Sequence, residues 1–149
     1  MTEDSDIAVP SGAKLLIHLS NYTLTMGANR FTYTAAAYVT IEGNGVNHSQ
    51  IDFTPTTASH TLFDNGAYTD NSVEMSNLTF DNNATQSYCY IADEGNQAYY
   101  NVRFELPNVQ ACAIYNASNT NYVFIKSCEF IGGGTSCQDV LYGNLIITT

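Results

Sequence analysis

Three segments of the chain align with one another: Val73-Glu-Met-Ser-Asn-Leu-Thr-Phe80, Gln97-Ala-Tyr-Tyr-Asn-Val-Arg-Phe104 and Val123-Phe-Ile-Lys-Ser-Cys-Glu-Phe130. They begin 24 residues (97 − 73) and 26 residues (123 − 97) apart, and each has a small polar residue at its fifth position and Phe at its eighth. A unit that recurs at about this length is typical of stacked structural repeats, in which each coil packs only on its neighbours. The alignment therefore predicts a β-solenoid.

The aligned positions predict columns of side chains that run along the stack. One column should occupy the bend between two short strands, because Asn tolerates the left-handed backbone conformation that a sharp bend requires; its members are Asn77, Asn101 and Ser127. Two columns should point inward and form the core, namely Leu78, Val102 and Cys128, and Phe80, Phe104 and Phe130. A fourth column, Thr79, Arg103 and Glu129, should point outward, with an ion pair between Arg103 and Glu129.

The rest of the chain agrees with an all-β fold of one domain. β-Branched and aromatic residues suit strands, and the abundant Asn and Gly suit the turns between them. Cys89-Tyr-Ile91 and Cys112-Ala-Ile114 form a second register between the aligned segments. We predict a single-stranded parallel β-helix of about six coils over residues 14–149, preceded by an acidic N-terminal arm and lead-in over residues 1–13.

Charge and hydropathy exclude several classes of partner. The net charge is −10, from 14 acids and 4 bases, which argues against binding nucleic acid through its phosphates and against an anionic membrane surface. The acids either keep the protein soluble or attract a basic surface or divalent cations. No apolar run approaches the roughly 20 residues of a membrane span, and the acidic start has no signal-peptide features, so we expect a protein made in a cytoplasm and not secreted by a signal.

The four cysteines match no metal-binding pattern. Cys89 and Cys112 are about one coil apart, so two alternatives stay open: a disulfide between stacked strands, or buried thiols that act as small apolar side chains. The three histidines, at positions 18, 48 and 60, have no ligand spacing. We therefore predict no metal and no cofactor.

The acidic residues give no sign of a catalytic pair. Hydrolysis of glycosides needs two carboxylates close together, and the candidates are Asp52, Asp64, Asp81, Asp93 and Asp139. No two of them share a clear column within the aligned segments, and Asp93-Glu94 precedes Gly95 in a predicted loop. The sequence predicts no catalytic residue.

The strand–bend–strand unit at Val73–Phe80 resembles the right-handed parallel β-helix of the pectate-lyase-like superfamily, which includes phage tailspikes. Val9-Pro-Ser-Gly-Ala13, Tyr22-Thr-Leu24, Val39-Thr-Ile-Glu-Gly-Asn-Gly45 and Ile51-Asp-Phe53 are similar to the first coils of tailspike β-helices. The resemblance implies a homotrimer. This fold serves lyases, hydrolases, adhesins and inert scaffolds, so function has to come from particular sites.

The resemblance and the short chain together favour a non-enzymatic virion-surface protein, a trimeric capsid decoration (cement) protein that stabilises a phage head. Its partners would be other copies of itself and a capsid or other virion protein, with Thr2, Glu3, Asp4 and Asp6 in an arm that contacts the capsid. The first alternative is a tail module that binds a receptor or a cell-surface glycan, with Tyr99 and Tyr122 stacking on sugar rings. The second is a truncated polysaccharide lyase or glycoside hydrolase.

Overall fold

The structure is a computed structural model, and it describes residues 2, 5–33, 36–64, 71–85, 89–92, 95–107, 113–115, 121–132, 141–142 and 145–148. These residues form strands and turns, with no helix among them. The strands are β1 (Ile7–Val9), β2 (Lys14–Ser20), β3 (Thr23–Gly27), β4 (Phe31–Tyr33), β5 (Tyr38–Gly43), β6 (Gln50–Phe53), β7 (Thr61–Asp64), β8 (Ser72–Asn82), β9 (Tyr90–Ala92), β10 (Asn96–Leu106), β11 (Ile114–Tyr115), β12 (Val123–Lys126), β13 (Glu129–Gly132), β14 (Leu141–Tyr142) and β15 (Leu145–Thr148).

All strand pairs are parallel, and each strand pairs with strands of the neighbouring coils, which is the pattern of a β-solenoid. A long sheet stacks in the order β15-β12-β10-β8-β5-β2, with β13 beside β10 and with β6 between β3 and β8. A short sheet has the order β1-β4-β7-β9, and β11 pairs with β14. The predicted all-β parallel solenoid is therefore confirmed.

The number of turns is smaller than predicted. The structure has about four turns, not about six, and the short sheet that closes the coils has four strands among the described residues. One cause is unequal coil length: Val39 and Val73 are register partners 34 residues apart (73 − 39), whereas Val73 and Gln97 are 24 apart (97 − 73). Extra loop residues in the longer coil leave fewer residues for further turns.

The register along the stack forms continuous core columns. Leu78 pairs with Val102, and Phe104 pairs with both Phe80 and Phe130. Phe104 is fully buried; its ring lies 6.3 Å from that of Phe80, edge to face, and 4.7 Å from that of Phe130, stacked. Such aromatic contacts add about 0.5–1.5 kcal/mol beyond area burial. Toward the far end the core thins, since Cys128 and Phe130 are only partly buried.

The bend column has the left-handed backbone conformation throughout. Asn77, Asn101 and Ser127 have φ angles of 54°, 52° and 55°. The amide nitrogen Nδ2 of Asn101 donates to Oδ1 of Asn77 at 2.9 Å, so the bends of adjacent coils are bonded to each other. Ser20, with φ of 50°, repeats this conformation at the end of β2. The bend splits β8 and β10 into two halves that belong to two outer faces.

The described part of the predicted N-terminal arm pairs with the solenoid. Ile7–Val9 is a strand of the short sheet, in register with Phe31–Tyr33. Thr2 forms an isolated parallel bridge with Thr25, and Oδ1 of Asp6 accepts a hydrogen bond from the backbone N–H of Arg30 at 3.0 Å. Glu3 and Asp4 lie outside the described residues.

Two of the four cysteines are described. Cys89 is fully buried, and its thiol donates to the carbonyl oxygen of Thr57 at 3.4 Å. Cys112, its potential disulfide partner, lies outside the described residues, as does Cys137. Burial raises the pKa of both the Cys89 and the Cys128 thiols, which keeps them in the unreactive protonated form.

The bend column can be tested with a pair of substitutions at Asn101. Asn101→Gly removes the bond to Asn77 but keeps a residue that accepts positive φ, whereas Asn101→Val also places a β-branched side chain in the left-handed region. We expect the Val variant to be less stable than the Gly variant by about 1–2 kcal/mol in urea unfolding. Equal stabilities would show that the bend conformation is not a constraint.

Candidate functional site

The first outer face is the flat surface made by the outward side chains that precede the bend in each coil. It comprises Lys14, Leu16 and His18 on β2, Tyr38, Thr40 and Glu42 on β5, Ser72, Glu74 and Ser76 on β8, Asn96, Ala98 and Tyr100 on β10, and Tyr122, Phe124 and Lys126 at β12. Alternation along each strand places the intervening residues, such as Val39 and Ile41, in the core. The face therefore spans five stacked strands.

Large apolar side chains are concentrated on the first outer face. Leu16, Tyr38 and Tyr122 are 66 %, 43 % and 54 % exposed, and they are three of the five exposed large hydrophobic residues in the described part of the chain. Leu16 and Tyr38 lie on adjacent strands, whereas Tyr122 lies beyond β8 and β10; exposed apolar residues that share one face are typical of an interaction surface. Tyr100 and Phe124 are half-buried on the same face, and the centroids of their rings lie 5.4 Å apart.

Two shallow hollows lie on this face. One of about 280 Å³ is bordered by Tyr100, Tyr122 and Phe124, and one of about 450 Å³ lies beside Leu16 and Tyr38. Two charged groups of the face have internal partners: Nζ of Lys14 lies 5.7 Å above the centre of the Tyr38 ring, and Nδ1 of His18 lies 3.6 Å from a carboxylate oxygen of Glu42. The surface thus combines exposed aromatic and apolar side chains with polar and charged ones.

The two tyrosines proposed to contact glycans have different positions. Tyr122 is exposed on the first outer face, at the rim of the smaller hollow. The prediction for Tyr99 is wrong: its side chain is fully buried, and its hydroxyl donates to Oε1 of Gln97 at 2.8 Å. Burial raises the pKa of Tyr99 well above its ordinary value. Tyr99 aligns with Met75 and Ile125 in the register, so it occupies a core column.

The second outer face is made by the outward side chains that follow the bend, and it contains a column of acids. Asp52 pairs in register with Asp81, and Asp81 pairs with Glu105. The expectation that no two candidate carboxylates share a column concerned the aligned segments, and this column extends beyond them to Asp52. The sequence alignment did not reveal the column because Asp52 lies on β6, outside the three aligned segments. Asp81 and Glu105 each follow the Phe at the eighth position of their segment, so this part of the column could have been recognised from the sequence.

Side-chain donors partly offset the repulsion within the acidic column. Oδ2 of Asp81 accepts from Nε2 of Gln50 at 3.3 Å, and Oδ1 of Asp52 accepts from the Thr54 hydroxyl at 3.2 Å. The pKa of Asp81 is raised from its ordinary value, chiefly by burial; a hydrogen bond from Asn83 lowers it, and the charges of Asp52 and Glu105 raise it further. Ionisation of Asp81 is therefore less favourable than ionisation of an isolated carboxyl group.

A polar groove of about 320 Å³ lies beside the acidic column, between the loop 44–49 and strands β8 and β10. Arg103 crosses it: Nε donates to Glu129 at 2.8 Å, which is the predicted ion pair, and Nη1 donates to Oδ1 of Asn47 at 3.0 Å. Thr79, predicted to point outward, is 4 % exposed because the loop covers it, and its hydroxyl donates to the Val46 carbonyl at 2.6 Å.

Gly43 allows the loop to approach the stack this closely. A Cβ atom at this position would lie 2.3 Å from the carbonyl oxygen of Asn77 and 2.5 Å from Cβ of Ser49. The backbone N–H of Gly45 donates to the same Asn77 carbonyl at 2.7 Å. The groove therefore depends on the bend column, because the loop that forms one wall is anchored at Asn77.

The remaining candidates do not gather into a site. Asp64 pairs with Nη1 of Arg30 at 2.8 Å, and Asp93 and Asp139 lie outside the described residues. Within the described ranges, no group of three or more His, Cys, Asp or Glu side chains is arranged to hold a metal ion. No helix in the part of the chain that the structure covers is long and apolar enough to cross a membrane.

Comparison with known proteins identifies no relative. No protein-family model, no curated protein and no solved structure matches this chain. The resemblance to tailspike β-helices therefore rests on the sequence motifs and on the coarse architecture alone.

Asp81→Asn is expected to change the pH dependence of stability. A folded-state pKa raised above the ordinary 3.8 means that the group contributes stability below that value and that this contribution is lost as pH rises through the folded pKa. The variant keeps an acceptor for Gln50, so its thermal midpoint should exceed the parent's at pH 7, with the difference vanishing near pH 4. Glu42→Gln, which removes an acid from the other face, controls for net charge. A parent and variant that differ equally at both pH values would contradict the assignment.

Proposed function

We propose that this protein is a non-enzymatic structural module that works by burying its first outer face against other protein subunits. One observation carries the proposal: three of the five exposed large hydrophobic residues of the described chain lie on this one face. Parallel sheet strands bonded on both sides offer little conformational freedom, so association costs little ordering entropy. Tyr38, Tyr100, Tyr122 and Phe124 also supply the aromatic side chains that are enriched in interface cores.

The finer proposal is a capsid decoration protein of a virion surface, made in the host cytoplasm, which buries surface against capsid subunits and associates as three copies. What supports it is the resemblance of the coil motifs to tailspike β-helices, together with the confirmed parallel solenoid. Such a protein needs no reactive residue, because stabilisation comes from buried area. The net charge of −10 also favours a basic partner surface.

Substitution of the apolar face tests the proposal. Leu16→Glu and Tyr122→Glu place charges on the first outer face, whereas Ile131→Glu makes the same change at a residue that is 45 % exposed on the second face. We expect the first two to weaken self-association at least about tenfold in sedimentation velocity and the third to leave it unchanged. The parent should sediment as three copies. A monomeric parent at high micromolar concentration, or an equal effect of all three variants, would refute assembly through this face.

A second candidate function, glycan cleavage, is favoured by the acidic column beside the polar groove. Asp52 and Asp81 are in adjacent coils, which stacks two carboxylates about 5 Å apart at the backbone. Neighbouring carboxylates are what a glycosidase needs, since one acts as nucleophile or base and the other donates a proton. Digestion of capsular and cell-wall polysaccharides by the parent, abolished in Asp81→Asn, would favour this function over the structural one, and no cleavage by the parent would exclude it for those substrates.

The third candidate, glycan binding without cleavage, rests on Tyr122 at the rim of the smaller hollow. Exposed aromatic rings pack against the apolar faces of sugars. A glycan array probed with the parent and with Tyr122→Ala separates this function from protein–protein assembly, since the latter predicts no binding by either.

A further inference from the structure

The hollow on the first outer face is centred on a small side chain. It holds about 280 Å³ and is bordered by Glu74, Asn96, Ala98, Tyr100, Tyr122 and Phe124. Ala98 is the smallest side chain in its column, which from one end reads Leu16, Thr40, Glu74, Ala98 and Phe124. Every neighbour of Ala98 on the face is larger or polar, so the alanine forms the floor and the neighbours form the walls.

The walls of the hollow are held in place by contacts within the protein. The rings of Tyr100 and Phe124 pack at 5.4 Å with their planes tilted by 42°. Oδ1 of Asn96 accepts a long hydrogen bond, 3.5 Å, from the backbone N–H of Tyr122. Because the wall residues sit on hydrogen-bonded strands of adjacent coils, the hollow exists before any partner binds.

Glu74 gives the hollow an acidic side. Within the described residues no cation or hydrogen-bond donor is paired with its carboxylate, whereas Glu42 on the same face lies 3.6 Å from His18. Lys126, in register with Tyr100, is the cation of the adjacent column, but it does not border the hollow. The site therefore combines an unpaired carboxylate with three aromatic rings.

The same face shows what such a combination binds. At its other end, Nζ of Lys14 lies 5.7 Å above the ring of Tyr38, a cation–π contact made within the chain. The hollow at Ala98 has the aromatic rings and adds a carboxylate, yet none of the described residues supplies the cation.

We propose that this hollow binds a basic side chain, arginine or lysine, presented by the partner protein that covers the first outer face. The inference rests on the proposed function, because it names the chemistry of the partner at that same face. The aromatic rings receive the flat or apolar part of the side chain, and Glu74 pairs with its charge. The smaller hollow is then the point that fixes the partner's register on the first outer face.

A titration followed by ¹⁵N NMR tests the inference without knowledge of the partner. The probe is N-acetyl-arginine amide, and the matched control is N-acetyl-citrulline amide, which has nearly the same shape but no charge. We expect saturable shifts confined to the residues of the hollow, with arginine amide binding about three- to tenfold more tightly than citrulline amide. Equal binding of both probes, or shifts spread evenly over both outer faces, would overturn the inference.

Variants assign the effect to the two features of the site. Glu74→Gln should abolish the preference for arginine amide over citrulline amide, and Tyr122→Ala should weaken the binding of both probes. Both residues are exposed, so neither substitution disturbs the core. Glu42→Gln, an equal charge change on the same face, should alter the arginine affinity less than about twofold. Tighter binding of methyl glucoside than of arginine amide at the same residues would instead make the hollow a sugar site. If the parent self-associates but shows no preference for arginine amide, this inference alone is refuted. If the parent is monomeric, the proposed function is refuted.

Discussion

The structure depends on one constraint, that every coil returns to the same register as the coil before it. In a parallel stack a slip of one residue would turn each inward side chain outward. The pairing of β8 with β10 holds this register over nine partner pairs on both sides of the bend. The bond between the amides of Asn101 and Asn77 lies at the point where the two halves meet. That alignment determines the core columns, both outer faces and the position at which the loop 44–49 is anchored.

The sequence predicted those parts of the fold where the coils have equal length. The segments at positions 73, 97 and 123 align by inspection, and their columns are those of the register. The first coils could not be read in this way, because the coil from Val39 to Val73 is longer and interrupts the period. The acidic column was missed for the same reason, since Asp52 belongs to that longer coil.

Tyr99 illustrates a different limit. Its aligned partners, Met75 and Ile125, are apolar residues of a core column, so the alignment already contained the correct answer. The prediction for Tyr99 relied on its residue type, an amphipathic ring suited to sugars, and not on its position in the alignment. In a solenoid the column is the better guide, because an inward tyrosine needs only one polar partner, and Gln97 two residues earlier supplies it.

In-register stacking affects apolar and charged residues in opposite ways, and this separates the two outer faces. Equivalent positions lie about 5 Å apart in adjacent coils, so apolar columns gain contact at each step, whereas acids stacked in a column repel one another. On the second face, Gln50, Thr54 and Asn83 donate to Asp52 and Asp81, although the buried Oδ1 of Asp81 has no hydrogen-bond partner among the described residues. On the first face, Glu74 lies between Thr40 and Ala98 in register and borders the hollow with the three aromatic rings, and no donor among the described residues is paired with it. Glu74 is exposed and no cation among the described residues pairs with it, so under the proposal above its counter-charge comes from the partner.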